Sequence, residues 1–321
     1  MNQDIYVVIE HLRGQAADIS YVALAAARVL AQGTGGEVVA VLLGHNAQTL
    51  ADGLAADRVL YIDHPALADF IPDAYLKVLA PLINEREPRA VLLGNTTIGS
   101  DVASVLSARL GAPLVSSCRT VSAEGKATSQ ICGGKILAEF ALPDATTILT
   151  VIPGGYSPEQ GQSKQAPPVT PAAAPALEDL RITLKQYIEP EAGDVDISKE
   201  PILIAVGRGI QNQDNIELAN DLADALGGVV CASRPVVDQG WLPTSRLVGK
   251  SGKRVKPKLY LALGISGAPE HVEALGENAM IIAINTDPAA PIFQVAKYGA
   301  QIDLFDLVPV LGEQIRQAKG S

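Results

Sequence analysis

The sequence predicts an α/β protein of two domains, each a largely parallel sheet flanked by helices. Three observations predict it. Short aliphatic and β-branched runs alternate with Ala/Leu-rich stretches of helical length, and this alternation occurs twice along the chain. Strands buried on both faces read as near-continuous aliphatic runs, with helices as their crossovers. The length, 321 residues, also exceeds what one core usually holds.

Taken in order, residues 5–9, 37–43, 58–62 and 90–93 predict strands, and 17–31, 69–84 and 101–110 predict the helices between them. Residues 128–132 and 135–141, separated by Gly133-Gly134, predict a hairpin added to the first sheet. Residues 154–176 contain the Pro/Ala tract Ala166 to Pro175, which buries too little apolar surface to offset its ordering entropy. An exposed loop within the first domain is expected there, because 181–188 then alternates like one more strand. The inter-domain hinge is expected at 189–194, giving domains 1–194 and 195–321. The second opens with an aliphatic strand at 202–206, a Gly207-Arg-Gly turn and a helix. Ile216, Ala219, Leu222, Ala223 and Leu226 share one face of that helix, which Gly227-Gly228 ends.

Composition excludes several classes. The chain is 48% hydrophobic but only 4% aromatic, so its cores are expected to be aliphatic. An excess of 35 acidic over 25 basic residues argues against a general nucleic-acid or anionic-membrane binder. Cys118, Cys132 and Cys231 have no metal-binding spacing, and each lies in or beside an apolar segment, which predicts buried thiols. No stretch of about twenty apolar residues is present for a membrane span, and no signal-type run opens the chain, so a cytoplasmic protein without membrane insertion is expected.

The residues that carry chemistry gather in the second domain. The strand 259–263 runs into Gly264-Ile-Ser-Gly267, a helix start and His271, and a second strand, 281–285, ends on Asn285. Backbone amides freed at such a turn cradle a pyrophosphate, because glycine lets the chain approach closely and the helix start favours anions. Arg208 follows one predicted strand, Ser233-Arg234 follows another, and Val248-Gly-Lys-Ser-Gly-Lys253 forms a further Gly/basic loop. That loop lacks the leading strand and first glycine of a P-loop. Asp303 closes another short strand. These loops would meet at one sheet edge, where open α/β folds place ligands. No metal set and no catalytic residue stand out.

Together these segments resemble the electron transfer flavoprotein alpha subunit. The family's FAD pocket is built from a Gly-Arg-Gly turn, a Ser-Arg-x-x-Val-Asp-x-Gly run, a Val-Gly-Gln-Thr-Gly-Lys loop, a Gly-Ile-Ser-Gly-Ala-Ile-Gln-His turn and a Val-Ala-Ile-Asn-Lys-Asp-Pro stretch. The counterparts here are 207–209, 233–240, 248–253, 264–271 and 282–293. The resemblance implies a Rossmann-like FAD-binding domain. Arg234 would lie beside the isoalloxazine, with His271 at its N1/O2 edge, where negative charge gathers on reduction. Ser251 would hydrogen-bond N5, in a loop formed by Val248, Gly249 and Lys250. Gly264, Ser266 and Gly267 would take the pyrophosphate and ribityl chain, with Glu270 before the histidine. Asn285 and Asp303 would hold the adenosine half, with Arg208 as a further basic group and Ser233 opening its loop.

The resemblance further implies a beta-subunit partner, a flavin dehydrogenase such as an acyl-CoA dehydrogenase as donor, and a quinone reductase or other acceptor. Four positions depart from the family pattern: Lys250 and Glu270 replace glutamines, Pro269 an aliphatic residue and Thr286 a lysine. The first two suggest a compensating Lys250–Glu270 ion pair over the flavin edge. The departures also leave an alternative, an FAD- or nucleotide-binding paralogue acting as a scaffold or regulatory subunit.

Overall fold

The computed structural model describes residues 2–132, 136–187, 195–276 and 279–320. Contacts divide the chain into two compact units, Met1–Tyr187 and Ile188–Ser321. The expected hinge at 189–194 and the Gly133-Gly134 turn lie outside the described residues.

In the N-terminal unit the strands are β1 (Ile5–Val8), the small hairpin β2 (His11–Leu12) and β3 (Gln15–Ala16), β4 (Val38–Gly44), β5 (Arg58–Asp63), β6 (Ala90–Gly94), β7 (Leu114–Val121), β8 (Lys126–Ile131), β9 (Ile136–Ala141), β10 (Thr147–Val151) and β11 (Val169–Pro171). The helices are α1 (Asp18–Thr34), α2 (Pro72–Arg86) and α3 (Thr97–Leu110). Nine strands form one sheet in the order β11-β5-β4-β1-β6-β10-β7-β8-β9. Its pairings are parallel except β7–β8 and β8–β9, which are antiparallel, β8 and β9 forming the expected hairpin. The aliphatic residues of β1, β4 and β6 are divided between two cores, one on each face of the sheet. Helix α3 starts before the expected 101 because the Thr96 side chain accepts the Gly99 amide and caps it.

Three expectations for this unit are corrected. The Pro/Ala tract is not loop throughout, since Val169–Pro171 pairs with β5 and extends the sheet edge. Proline is tolerated at such an edge because one side of the strand needs no donor. Residues 181–187 form no strand. The polar residues of that segment are tied to α2 and its approach instead: Arg181 bonds Asp73 through main chain and guanidinium, both at 3.1 Å, and the Tyr187 hydroxyl donates to Asp69 at 2.7 Å. These bonds leave Ile182 and Leu184 exposed. Cys118 is buried as expected, but Cys132 is exposed, because it follows β8 where the hairpin leaves the core.

In the C-terminal unit the strands are β12 (Ile202–Val206), β13 (Val229–Ala232), β14 (Leu259–Leu263), β15 (Met280–Asn285) and β16 (Tyr298–Gln301). The helices are α4 (Ile216–Leu226), α5 (Arg234–Asp238), α6 (Pro269–Val272) and α7 (Leu304–Ala318). All five strands are parallel, in the order β13-β12-β14-β15-β16. From β12 the chain moves first to β13 on one side and then to β14 on the other, so the connections reverse between β12 and β14.

The two faces of this sheet are covered differently. Ile216, Ala219, Leu222 and Ala223 of α4 pack with Leu304 and Val308 of α7 on one face. The other is covered by Val248, Val255, Ile265, Ala274 and Ile292, which lie in irregular segments around the short α6. Long helices on one side and loops on the other leave room for main chain to line a ligand site.

Candidate functional site

The connection reversal between β12 and β14 is where open α/β sheets form a ligand crevice beyond their strand ends. Two glycine turns meet there. Gly207 donates its amide to Leu263 O at 2.9 Å, and Gly209 donates to Gly264 O at 3.2 Å. A Cβ on Gly207 would lie 2.3 Å from Gly264 O, and one on Gly209 would lie 2.6 Å from Gly264 Cα. Main chain therefore runs against main chain, and a side chain at any of the three positions would force the turns apart. Arg208, between the glycines, is exposed.

The other expected residues are brought to the same end of the sheet by hydrogen bonds of the main chain. Ser233 is buried after β13 and donates its amide to Val206 O at 3.0 Å. Arg234 starts α5 and is exposed; its Nε pairs with Asp238 Oδ2 at 3.3 Å, one turn further on. Val248 is tied to β13 through Ala232 O at 2.9 Å. The loop it opens closes on itself, with Lys253 donating to Leu247 O at 2.7 Å and Gly252 to Gly249 O at 2.9 Å. Ser251 is exposed at its tip.

Lys250 and Glu270 are adjacent, but not in the expected manner. The Lys250 amide donates to the Glu270 carbonyl at 2.7 Å, so main chain joins the loop to α6. Both side chains are exposed, and among the described residues they form no ion pair.

Beyond β14, Gly267 has φ +84°, a conformation L side chains rarely adopt, and the Ile292 amide donates to Ser266 O at 2.9 Å. Asn285 holds this turn from β15. Its Nδ2 donates to Ile265 O at 2.9 Å, and its Oδ1 accepts the Asp287 amide at 3.0 Å. Asp303 does not close a strand; it lies beyond the end of β16 and caps α7, accepting the Phe305 amide at 3.0 Å. Asp303→Ala should therefore cost the C-terminal unit about 1 kcal/mol in urea unfolding, as loss of an N-cap does. An unchanged midpoint would remove the capping role.

His271 is 6% exposed. Its Nε2 lies 2.8 Å from the Tyr260 hydroxyl, which rises from the fully buried floor of β14. Its Nδ1 is buried and, among the described residues, makes no hydrogen bond of ordinary geometry, although the main chain of Val248 lies close enough to act on the ring. Burial pushes the imidazole pKa down to about 4, opposed by the main chain of Val248, so the ring is neutral at pH 7. Burial likewise raises the Tyr260 hydroxyl well above the usual phenol range and pushes the neighbouring Cys231 thiol up to about 12. An orphaned polar atom in native packing needs an explanation, and a ligand is one.

The glycine turns, the loop at 248–253 and a buried Nδ1 without a hydrogen bond of ordinary geometry fit an extended ligand carrying a diphosphate at one part and a hydrogen-bond acceptor at another. Sequence patterns did not mark Tyr260, since tyrosine in an aliphatic strand counts as one more apolar residue. The signal was its hydroxyl, which a fully buried strand must satisfy.

Comparison with known proteins accounts for both units. The electron transfer flavoprotein domain matches residues 5–177, and the electron transfer flavoprotein FAD-binding domain matches residues 196–276. The chain belongs to the electron transfer flavoprotein alpha subunit family. It is 35% identical to the electron transfer flavoprotein subunit alpha of Thermoanaerobacterium thermosaccharolyticum, over 99% of each chain. It is 33% identical to the subunit alpha of Bacillus subtilis, over 99% of this chain and 98% of that one. A protein of Anaerotignum propionicum named acryloyl-CoA reductase electron transfer subunit beta is 34% identical, over 99% of this chain and 97% of its own. Every segment singled out around the crevice up to Val272 falls within the FAD-binding match; Asn285 and Asp303 lie beyond its end. Among the described residues, no helix is long and apolar enough to cross a membrane.

Proposed function

We propose that this chain is the FAD-carrying alpha subunit of a heterodimeric electron transfer flavoprotein, paired with a beta subunit in the cytoplasm. The observation that carries the reading is the crevice between β12 and β14, where Gly207, Gly209 and Gly264 bring two turns into main-chain contact. The proposed division, 1–194 and 195–321, leaves that site wholly within the second domain. When bound, the isoalloxazine supplies the electron-accepting and electron-donating chemistry; the protein supplies binding, orientation and electrostatics.

The Ser266 and Gly267 amides would receive the pyrophosphate, with Arg208 adding charge. Arg234 and His271 would face the N1/O2 edge, and Ser251 would serve N5 from the loop of Val248, Gly249 and Lys250. Asn285 and Asp303 would serve the adenosine half. Phe305 N occupies one carboxylate oxygen of Asp303, Oδ1. Arg234 must also exchange its surface pairing with Asp238 for the flavin; such an exposed pair is worth about 0–1 kcal/mol, a small barrier.

The donor in this reading is a flavin dehydrogenase acting on acyl-CoA esters, which the name of the Anaerotignum propionicum relative supports. The acceptor is a quinone reductase or another redox partner. Co-expression with the beta subunit and measurement of bound flavin is the test. The expected result is one FAD per heterodimer, released as intact FAD on denaturation. A stable heterodimer without flavin would contradict it and favour a scaffolding or regulatory subunit, the reading to which Pro269, Glu270 and Thr286 lend some weight.

A further inference from the structure

Below His271 lie two more polar groups in an otherwise aliphatic floor. Tyr260 is fully buried, as is Cys231 on β13; the Tyr260 hydroxyl lies 2.8 Å from His271 Nε2, and the Cys231 thiol is near enough to influence it. Three groups in a row admit two directions of donation. Either the thiol donates to the tyrosine and the tyrosine to Nε2, or Nε2–H donates to the tyrosine and the tyrosine to sulfur. A phenol is a better donor than a thiol, and a neutral imidazole nitrogen a far better acceptor than sulfur. The first direction places the strongest donor on the strongest acceptor.

We infer that Tyr260 is a positioning residue, whose hydroxyl donates to His271 Nε2 and so holds the single imidazole proton on Nδ1. Among the described residues, Nδ1 is buried and makes no hydrogen bond of ordinary geometry, with the main chain of Val248 as its protein neighbour until a ligand arrives. His271 then offers a ligand a fixed, neutral N–H donor rather than a charge, and the second polar atom of the ring is already spent on the strand beneath. Such an outer contact fixes tautomer and ring orientation in the way that second partners fix metal-bound histidines. The inference rests on the proposed flavin site only for the identity of the acceptor that Nδ1–H meets.

The test uses the full chain with its beta subunit and nitrogen-15-labelled histidine. The chain has four histidines, and loss of one signal set in His271→Gln assigns that of His271. The expected spectrum of the unsubstituted protein shows His271 neutral at pH 7, protonated at Nδ1 and bare at Nε2. Tyr260→Phe should turn this single tautomer into a mixture. In the flavin-loaded heterodimer it should weaken binding of reduced relative to oxidised flavin about tenfold, a fall of about 30 mV in the two-electron midpoint.

A proton found on Nε2 in the unsubstituted protein overturns the inference and needs no variant to fold. So does a Tyr260→Phe protein with native tautomer and midpoint. A heterodimer without flavin overturns the cofactor reading instead, while the tautomer in the same sample still supports or overturns the role of Tyr260.

Discussion

Gly267→Ala should destabilise the C-terminal unit by more than about 4 kcal/mol and remove its bound flavin. Two terms add. The residue has φ +84°, where an L side chain costs about 1–2 kcal/mol. A Cβ there would also lie 2.3 Å from Ile292 N and 2.5 Å from Ile292 Cα. Those are backbone atoms, and Ile292 is itself fully buried in the core beneath the loops, so they cannot withdraw as a flexible side chain would. Relief would require breaking the Ile292 N to Ser266 O bond and moving the turn whose amides are proposed to meet the pyrophosphate.

Gly227 provides the control. It has φ +73° at the end of α4 but open space around its would-be Cβ, so Gly227→Ala should cost only the conformational term. Urea unfolding of both variants, with flavin content measured alongside, separates collision from backbone preference. Equal losses would mean that the turn around Gly267 is not packed on Ile292 as described.

Acid should weaken the same unit by up to about 3–4 kcal/mol through His271. The folded pKa of about 4 lies below the ordinary 6.5, so the folded chain prefers the neutral ring. The unfolded chain takes up the proton first as pH falls, and unfolding is favoured through the window from about 6.5 to about 4. Above that window the contribution is fully present; below it, it is gone. About 2.5 units at about 1.4 kcal/mol each give the magnitude. The check is the difference in pH dependence between the unsubstituted chain and His271→Gln, each followed by unfolding at pH 7 and pH 4. Parallel profiles would show that His271 is not buried neutral.

A neutral His271 also changes what the sequence implied for it. In the proposed site His271 would be a neutral donor near N1/O2 rather than a positive charge. In that proposal the charge would come from Arg234, which is exposed and would give up a surface ion pair with Asp238 to reach the flavin.

What could be read from the sequence follows from how local each feature is. The run at 202–206 reads as a strand because five aliphatic residues in a row suit only a site buried on both faces, and β12 lies between β13 and β14. The α4 face from Ile216 to Ala223 follows from helical spacing alone. Val169–Pro171 could not be read, since a three-residue edge strand is made by its neighbour β5, more than a hundred residues earlier. Conversely, 181–187 has the alternation of a strand, but its polar residues find Asp73 and Asp69 on and before α2, and no ladder forms.

The site divides the same way. Gly207, Gly209 and Gly264 are visible as turn residues, but their mutual contact exists only once β12 and β14 are neighbours. Lys250 and Glu270 were placed side by side correctly, yet the bond between them belongs to the main chain, which side-chain chemistry does not forecast. Asp303 looks like a ligand residue from its position and serves as a helix cap in the fold, a role that a preceding strand and a following apolar-periodic stretch could have revealed.

The most direct test of the central claim is amide hydrogen exchange of the heterodimer before and after removal of its flavin. FAD held at the β12–β14 crevice should slow exchange at 207–211, 233–235, 248–253 and 264–272, with a smaller effect at 285–287 and little in the N-terminal unit. Protection confined instead to the N-terminal unit, for example where Glu10, Tyr75 and Gly99 line a crevice beyond β1 and β6, would contradict the assignment of the site.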